Sequence, residues 1–196
     1  MMSTLKFWKP YQVLTQFTDD ENNRATLADY IDVPNVYSAG RLDYDSEGLM
    51  ILTDDGNLNH LLTHPKHDHP RTYWAQVENI PDETALDKIR RGGLEIKNYK
   101  TKPAMAQRID APELPDRHPP IRYRANIPDC WLELTLTEGK KRQVRRMTAK
   151  IGHPTLRLVR ASIGPITLNG MQEGKYYELT SSEMKALWAS IRESRR

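Results

Sequence analysis

The sequence predicts an α+β protein with a mixed, mostly antiparallel sheet and flanking helices. Residues 71–79 and 131–137 alternate between apolar and polar side chains, which is the pattern of strands with one buried face. Residues 82–91 and 181–191 instead show helical spacing of apolar side chains, bounded by capping residues. Because strands and helices of these kinds are interspersed along the chain, the α+β class follows.

The first third of the chain is predicted to contain a short helix at 24–31 and a buried strand at 48–53. The strand is a continuous apolar run that ends at the turn signal Asp54-Asp55-Gly56. A second short helix is expected at 57–63, because Pro65 disfavours a helical conformation at the residue before it.

The same mixture continues to the end of the chain. Asp82 is a suitable N-cap for the helix at 82–91, Gly92-Gly93 is a suitable stop, and a strand at 103–109 follows. Further strands are predicted at 155–163 and 176–179, and helices at 140–151 and after the capping box of Thr180 to Glu183, with Met184, Leu187, Trp188 and Ile191 buried.

Five prolines between Asp110 and Asp129 interrupt this pattern. They predict an irregular connection at 110–129, which is either a long surface loop or a boundary between two lobes. The length of 196 residues otherwise fits one domain, or one domain made of two lobes.

Positive charge is concentrated rather than general. The formal net charge is only +3, but five of the seven residues from 140 to 146 are Lys or Arg. More arginines follow at Arg157, Arg160, Arg192, Arg195 and Arg196. A dense cluster on a modest background indicates one surface that faces a polyanion, whereas most charge runs are simply solvated helix faces.

Cys130 is the single cysteine, which excludes a disulfide framework and a cysteine-based metal site. No segment reaches the roughly 18 apolar residues that a membrane helix needs. The N-terminus has no basic region followed by a long apolar stretch, so no secretory signal is expected. These features predict a cytoplasmic protein.

Charged and polar side chains are concentrated at 40–48, and this segment allows three interpretations. In a calcium loop, Asp43, Asp45, Glu47, Gly48 and Asp54 would occupy positions 1, 3, 5, 6 and 12, although Glu is expected at position 12 and the apolar run begins inside the loop. In a structural interpretation Asp43 caps a turn. In a catalytic interpretation Asp43 stands at the mouth of a cleft, where it needs a nearby cation to stay ionised.

The chain resembles the type-A pseudouridine synthases of the small ribosomal subunit. Three stretches carry this resemblance in the family's order, namely Gly40-Arg41-Leu42-Asp43 with Ser46 to Gly56, then Arg71-Thr72-Tyr73 with Val77-Glu78, then Glu138 to Met147 with Ile151 to Pro154, 156–160 and Ile163-Gly164. Lys9-Pro10-Tyr11 is similar to the family's first strand and turn. Residues 16–19 are similar to the branch of large-subunit synthase E.

The resemblance implies a pseudouridine synthase fold with a central RNA-binding cleft, and it implies roles for single residues. Asp43 would be the catalytic aspartate, Tyr73 would pack against the target base, and Arg145 would pair with Asp43. Leu156 or Leu158 would form the apolar wall of the pocket. Arg41 would help to fill the space that the everted nucleotide leaves, since a guanidinium both stacks and contacts phosphate.

The implied reaction isomerises a uridine of 23S ribosomal RNA, near the peptidyl-transferase centre, without cofactor or metal. The chain would act as a monomer. Only 42 residues precede Asp43, so no N-terminal S4-type RNA-binding domain is expected, and the catalytic domain itself would select the target, chiefly through residues 140–146, 157–160 and 110–129. The residues expected to contact RNA are Arg41, Arg71, Lys140, Lys141, Arg142, Arg146, Arg157 and Arg160.

Two other functions remain open at this point. A non-catalytic RNA-binding or ribosome-assembly module would keep the basic surface without the chemistry. A metal-dependent protein would use the acidic segment or the histidines at 60, 64, 67 and 69, of which His60 and His64 have a usable zinc-ligand spacing. No catalytic Glu adjoins these histidines, and Pro65 and Pro70 interrupt them, so an exposed or phosphate-contacting cluster is favoured.

Overall fold

The computed structural model describes residues 3–21, 23–64, 69–121 and 126–194, and it divides the chain into two compact units. The first unit contains the chain up to His69 together with the chain from Arg160 onward, and the second contains Pro70–Val159. Each unit combines strands with helices, which confirms the α+β class. No helix in these described ranges is long and apolar enough to cross a membrane.

The first unit is built on antiparallel pairs of β11 (Tyr176–Glu178), β1 (Thr4–Lys9) and β3 (Glu47–Thr53), in that order. Strand β1 was predicted only from the resemblance of residues 9–11 to the family's first strand and turn. The apolar residues of this strand are buried. The strands are β1 (Thr4–Lys9), β2 (Tyr37–Ser38), β3 (Glu47–Thr53), β10 (Ile166–Thr167) and β11 (Tyr176–Glu178). The short strand β2 pairs with β3, and β10 pairs with the end of β9 (Thr155–Ile163), a strand whose last four residues belong to this unit.

Two helices of the first unit agree with the capping signals. Helix α1 (Gly56–Thr63) begins after Asp55, whose carboxylate accepts from two backbone N–H groups of the first turn. The last helix, α4 (Ser181–Glu193), has the predicted capping box. Leu187 and Ile191 of this helix are buried as predicted, whereas the other two apolar residues of that face, Met184 and Trp188, are half-buried.

The prediction of a helix at 24–31 is mostly wrong. Only Leu27–Asp29 forms a helix, and it is a single 3₁₀ turn with Thr26 as its N-cap. The preceding residues are held in an extended conformation instead, because Ala25 forms a parallel bridge with Val13 and accepts a hydrogen bond from Leu14 N–H at 2.8 Å. Tertiary pairing therefore overrides the local helix preference.

The second unit has the strand order β9-β4-β8-β7, and its β4–β8 and β8–β7 pairs are antiparallel. Its strands are β4 (Arg71–Glu78), β5 (Glu95–Ile96), β6 (Tyr99–Lys100), β7 (Met105–Ile109), β8 (Asp129–Leu136) and the first five residues of β9. Its helices are α2 (Glu83–Arg91) and α3 (Gln143–Lys150). The predicted cap Asp82 accepts from the N–H of Ala85, and Gly92 ends α2.

The alternating strands of the second unit bury one face, as predicted. Ala75 and Val77 of β4 belong to the same buried cluster as Leu132 and Leu134 of β8. Helices α2 and α3 cover this cluster with Leu86, Ile89, Val144 and Met147. Packing against the two helices therefore determines which face of the sheet is apolar.

The helix predicted at 140–151 begins later than expected. Arg142 has a left-handed backbone with φ of 55°, so α3 begins at Gln143 and residues 140–142 form a turn. The described parts of 110–129 up to residue 128 contain no helix or strand, and they lie inside the second unit, with residues 122–125 outside the description. The Arg157 guanidinium donates to the carbonyl of Pro115 at 3.0 Å and ties this segment to β9.

Gly48 is the position where β3 requires glycine. Its φ is +108°, and a Cβ atom there would lie 2.4 Å from the carbonyl oxygen and 2.5 Å from the nitrogen of Arg160. Both contacts are with backbone, so no side-chain rotation relieves them. Gly56, in contrast, has no atom within 4 Å of the place of its Cβ.

We therefore expect Gly48→Ala to lower the free energy of unfolding by about 3 kcal/mol or more, through steric overlap and the positive φ. Gly56→Ala, a matched change at the start of α1, should alter it by less than about 1 kcal/mol. Urea unfolding of both variants measures the difference. Equal midpoints for the two variants would contradict the close approach of β3 and Arg160.

Candidate active site

Asp43 lies in a short loop before β3 whose backbone is fixed on both sides. The carbonyl of Leu42 accepts from the Thr15 hydroxyl at 3.4 Å, and the carbonyl of Tyr44 accepts from the N–H of Gln12 at 2.9 Å. Within the loop, the N–H of Ser46 donates to the Asp43 carbonyl at 3.0 Å. Asp43 itself is half-buried, and these hydrogen bonds hold the backbone that presents its carboxylate.

Arg41 stands two residues before Asp43 and is exposed, while Leu42 between them is buried. A buried anchor between two polar residues holds both at the surface of the first unit. The Arg41 side chain is accessible from solvent, and so to RNA, as its predicted role requires.

Lys9 closes the turn that supports this loop. The side chain has no exposed surface, and its Nζ donates to the carbonyls of Pro10 at 2.8 Å and Val13 at 2.9 Å. The enclosed turn includes Gln12, whose left-handed φ of 55° aims its N–H at the carbonyl of Tyr44. The turn that the ammonium group holds is therefore hydrogen-bonded to the residue that follows Asp43.

Burial also changes the protonation of Lys9. Desolvation lowers its pKa from 10.5 to about 7, while Glu47, Asp45 and Asp43 oppose this effect by favouring the charged form. The motif comparison pointed to Lys9 only as part of a strand and turn. Its position at the end of an apolar strand was the signal that it is buried.

Two arginines that were expected to contact RNA are buried in the structure. Arg160 is 3% exposed, and its Nε donates to the carbonyl of Leu49 at 2.7 Å. Arg157 is 7% exposed and bonds the carbonyl of Pro115. The two residues are three positions apart on β9 and so lie on opposite faces of the strand, and each side chain bonds a backbone carbonyl that helps to hold the fold.

Tyr73 lies on β4 opposite Leu134 of β8. It is half-buried and packs against the apolar cluster of the second unit. The ring is thus held by the core at one side. This placement is compatible with a flat wall for a base, and equally with the ordinary core role that an alternating strand predicts.

Arg145 projects from α3 and is attached to the start of β9. Its Nη1 donates to the carbonyl of Thr155 at 3.2 Å, and its own carbonyl accepts from the Thr148 hydroxyl at 3.2 Å. The hydroxyls of Thr148 and Thr155 lie 2.7 Å apart. The bond from Nη1 limits the rotamers of the guanidinium, which is what a residue that pairs with a carboxylate requires.

The basic segment at 140–146 presents its charge on a constrained turn. Lys140 and Lys141 are exposed, and the Nζ of Lys140 lies 4.8 Å from the centre of the Tyr99 ring. The N–H of Gln143 donates to the carbonyl of Lys140, and the N–H of Lys140 donates to the side-chain Oε1 of Gln143, each at 3.0 Å. Arg142 and Arg146 are half-buried.

The remaining predicted residues of the second unit differ in burial. Leu158 is buried in the apolar cluster, and Leu156 is half-buried. Leu156 is therefore the better candidate for a pocket wall. Arg71 is half-buried, and its Nη1 would lie 3.8 Å from a Cβ atom at Gly139, beside the basic segment.

The acidic segment does not have the form of a calcium loop. Glu47 to Thr53 is a strand, and Glu47 is 1% exposed, so half of the proposed loop is extended and buried. The rings of His60 and His64 lie 5.0 Å apart, His69 is buried, and His67 lies outside the described residues. Within the described ranges, no group of three or more His, Cys, Asp or Glu residues could hold a metal ion.

The family is decided by comparison with known proteins. The pattern that defines the family described as RNA pseudouridylate synthase matches residues 4–150. The chain belongs to this family. The enzyme class expected from the motifs, an isomerase that forms pseudouridine in RNA, is thereby confirmed.

Individual relatives agree. Ribosomal large subunit pseudouridine synthase E of Vibrio parahaemolyticus is 57% identical over 173 residues, which cover 88% of this chain and 72% of the relative. The protein of the same name from Xanthomonas campestris is 52% identical over 170 residues, which cover 86% and 90%. A crystal structure of a pseudouridylate synthase matches with a TM-score of 0.78 at 30% identity and covers 95% of this chain and 74% of its own. The expected fold is confirmed.

The predicted site residues are distributed over both units. Asp43 and Arg41 lie in the first unit, whereas Tyr73, Arg145 and Leu156 lie in the second. Within the first unit the structure adds the Lys9 turn as a support for Asp43. The pairing of Asp43 with Arg145 stays a prediction.

The lowered pKa of Lys9 predicts a rise of stability with pH. Between pH 7 and 10.5 the unfolded chain binds more protons at this residue than the folded chain, so the free energy of unfolding should increase through that window. Lys9→Met should remove this increment, and Lys6→Met on the same strand should retain it. Denaturant unfolding across the window measures both, and an identical pH dependence of wild type and Lys9→Met would contradict the burial of the ammonium.

Proposed function

We propose that this chain isomerises a uridine of large-subunit ribosomal RNA to pseudouridine, with Asp43 as the essential carboxylate. The proposal is supported by the family, by the names of the relatives that are more than half identical, and by the rigid presentation of Asp43 next to exposed Arg41. The last of these is the observation that carries the assignment of the site. The enzyme would work in the cytoplasm as a monomer.

The reaction is an exchange of bonds at one nucleoside. The bond between C1′ and N1 breaks, the uracil rotates within the pocket, and C5 bonds to C1′ while its proton is released and N1 gains one. No atom leaves the substrate except the exchanged proton, and the formal reduction of C1′ balances the formal oxidation of C5, so the proposed reaction uses neither a cofactor nor a metal ion. Asp43 would act on the sugar or the base as a nucleophile, or remove a sugar proton.

The target must leave its stack before Asp43 can reach it. Everting a nucleotide costs about a few kcal/mol, and Arg41 would offset part of this cost by stacking in the vacated space. Tyr73 would hold the everted uracil by its flat face. Arg145 would keep Asp43 ionised in a site from which the base excludes water.

The RNA surface would consist of exposed or half-buried cations around the basic turn. Lys140, Lys141, Arg142 and Arg146 contribute most of its charge, and Arg71 lies beside them. The selection of a uridine near the peptidyl-transferase centre would depend on this surface and on residues 110–129. Such a surface supplies affinity through phosphate contacts and leaves specificity to shape and to base contacts.

Asp43→Asn should abolish catalysis and leave binding intact. With RNA tritiated at uridine C5, we expect tritium release to fall by at least about a thousandfold, because the amide can neither attack nor accept a proton at neutral pH. Asp54→Asn is the matched control, since a calcium loop would need both carboxylates and the isomerase only the first. Normal release by Asp43→Asn would refute the assignment, and a loss in both variants would favour metal dependence.

RNA affinity should depend steeply on salt. Each phosphate contact contributes about 0.7 to the slope of log K against log salt for single-stranded RNA, so replacing Lys140 and Lys141 by Ala should reduce the slope by about 1.4. The matched double variant Lys88→Ala with Lys185→Ala, on exposed positions of α2 and α4, should leave it unchanged. Binding titrations over a range of salt concentrations measure the slopes, and equal effects of the two pairs would exclude the basic turn as the contact surface.

A further inference from the structure

Tyr44 follows Asp43 directly and is one of the exposed large apolar side chains of the first unit, at 37% exposure. We infer that its ring is a stacking platform for the base next to the everted uridine. The inference rests on the proposed function, because it takes the position of the target from Asp43. It adds a nucleotide subsite to the site formed by the catalytic residues.

The ring is presented from a backbone that cannot shift easily. The carbonyl of Tyr44 accepts from the N–H of Gln12, and the Lys9 ammonium holds the turn that contains Gln12. The neighbouring Asp43 is fixed through the N–H of Ser46. A platform fixed in this way loses little conformational freedom when a base is placed on it, which is the advantage of preorganised binding.

The surroundings of the hydroxyl favour a contact through the ring. Tyr44 is the smallest of the contributors that raise the pKa of Arg24, whose guanidinium donates to Asp19 at 3.2 Å and lies 3.4 Å from Glu21. The hydrogen bonds to Asp19 raise the pKa of Arg24 further above its usual range. Its charge is thus matched by two carboxylates that would repel a phosphate, whereas a neutral base is not repelled.

Stacking is also the contact that the reaction needs at this place. When one nucleotide is everted, its neighbour loses a stacking partner, and an aromatic side chain replaces that partner for any base. Tyr37 is more exposed, at 65%, but lies on β2 and not beside Asp43. It therefore serves as a matched control for general effects of removing an exposed tyrosine.

The test compares Tyr44→Ala, Tyr44→Phe and Tyr37→Ala with the wild type on the same tritiated RNA. Tyr44→Ala should raise KM by about five- to a hundredfold, the range for loss of one stacked base, with kcat unchanged. Tyr44→Phe and Tyr37→Ala should behave as the wild type, since the first keeps the ring and the second leaves the site alone. Thermal unfolding of each variant verifies that it is folded.

A second measurement detects the stack itself. RNA with 2-aminopurine beside the target uridine, bound to the Asp43→Asn protein, should lose fluorescence through contact with the ring, and the added change Tyr44→Ala should restore it. An unchanged KM, a fall of kcat alone, a loss in Tyr44→Phe equal to that in Tyr44→Ala, or no recovery of fluorescence would each overturn the inference. A wild type that releases no tritium would instead overturn the proposed function.

Discussion

The Lys9 ammonium lies in the interior of the first unit, and its hydrogen bonds to the carbonyls of Pro10 and Val13 close the turn that supports Asp43. A buried ammonium is costly to desolvate, so it persists only where acceptors and negative charge surround it. Two carbonyls and the nearby carboxylates of Glu47, Asp45 and Asp43 offset part of that cost here, and the pKa of Lys9 still falls to about 7. The carboxylate that the loop presents is thus one of the groups that favour the charged form of the lysine that shapes the loop.

A second constraint fixes the other side of the loop. Gly48 allows β3 to approach the backbone of Arg160, and the Arg160 guanidinium returns a hydrogen bond to Leu49 of the same strand. Buried contacts hold both ends of the loop between the Lys9 turn and β3. We therefore expect only the side chains of the loop to move when RNA binds. A catalytic carboxylate benefits from such support, because small displacements of a reacting group reduce the rate strongly.

The elements with strong local signals were predictable. The buried strand before Asp54, the helix capped by Asp82 and the final helix with its capping box all lie where apolar pattern and capping chemistry place them. The failures involve long-range contacts. Ala25 pairs with Val13 instead of continuing a helix, and Arg157 is buried by a loop that lies 42 residues earlier in the chain.

The fold class, the family and the candidate acid could be predicted from the amino-acid sequence, because they depend on residue types at short spacings within motifs. The burial of each cation, and the support that Lys9 gives to the loop of Asp43, became visible in the folded chain. The physical reason is that burial is a property of the whole packed chain. A lysine or arginine has the same side chain in either place, and its neighbours in space alone decide whether its charge meets solvent, RNA or a buried carbonyl.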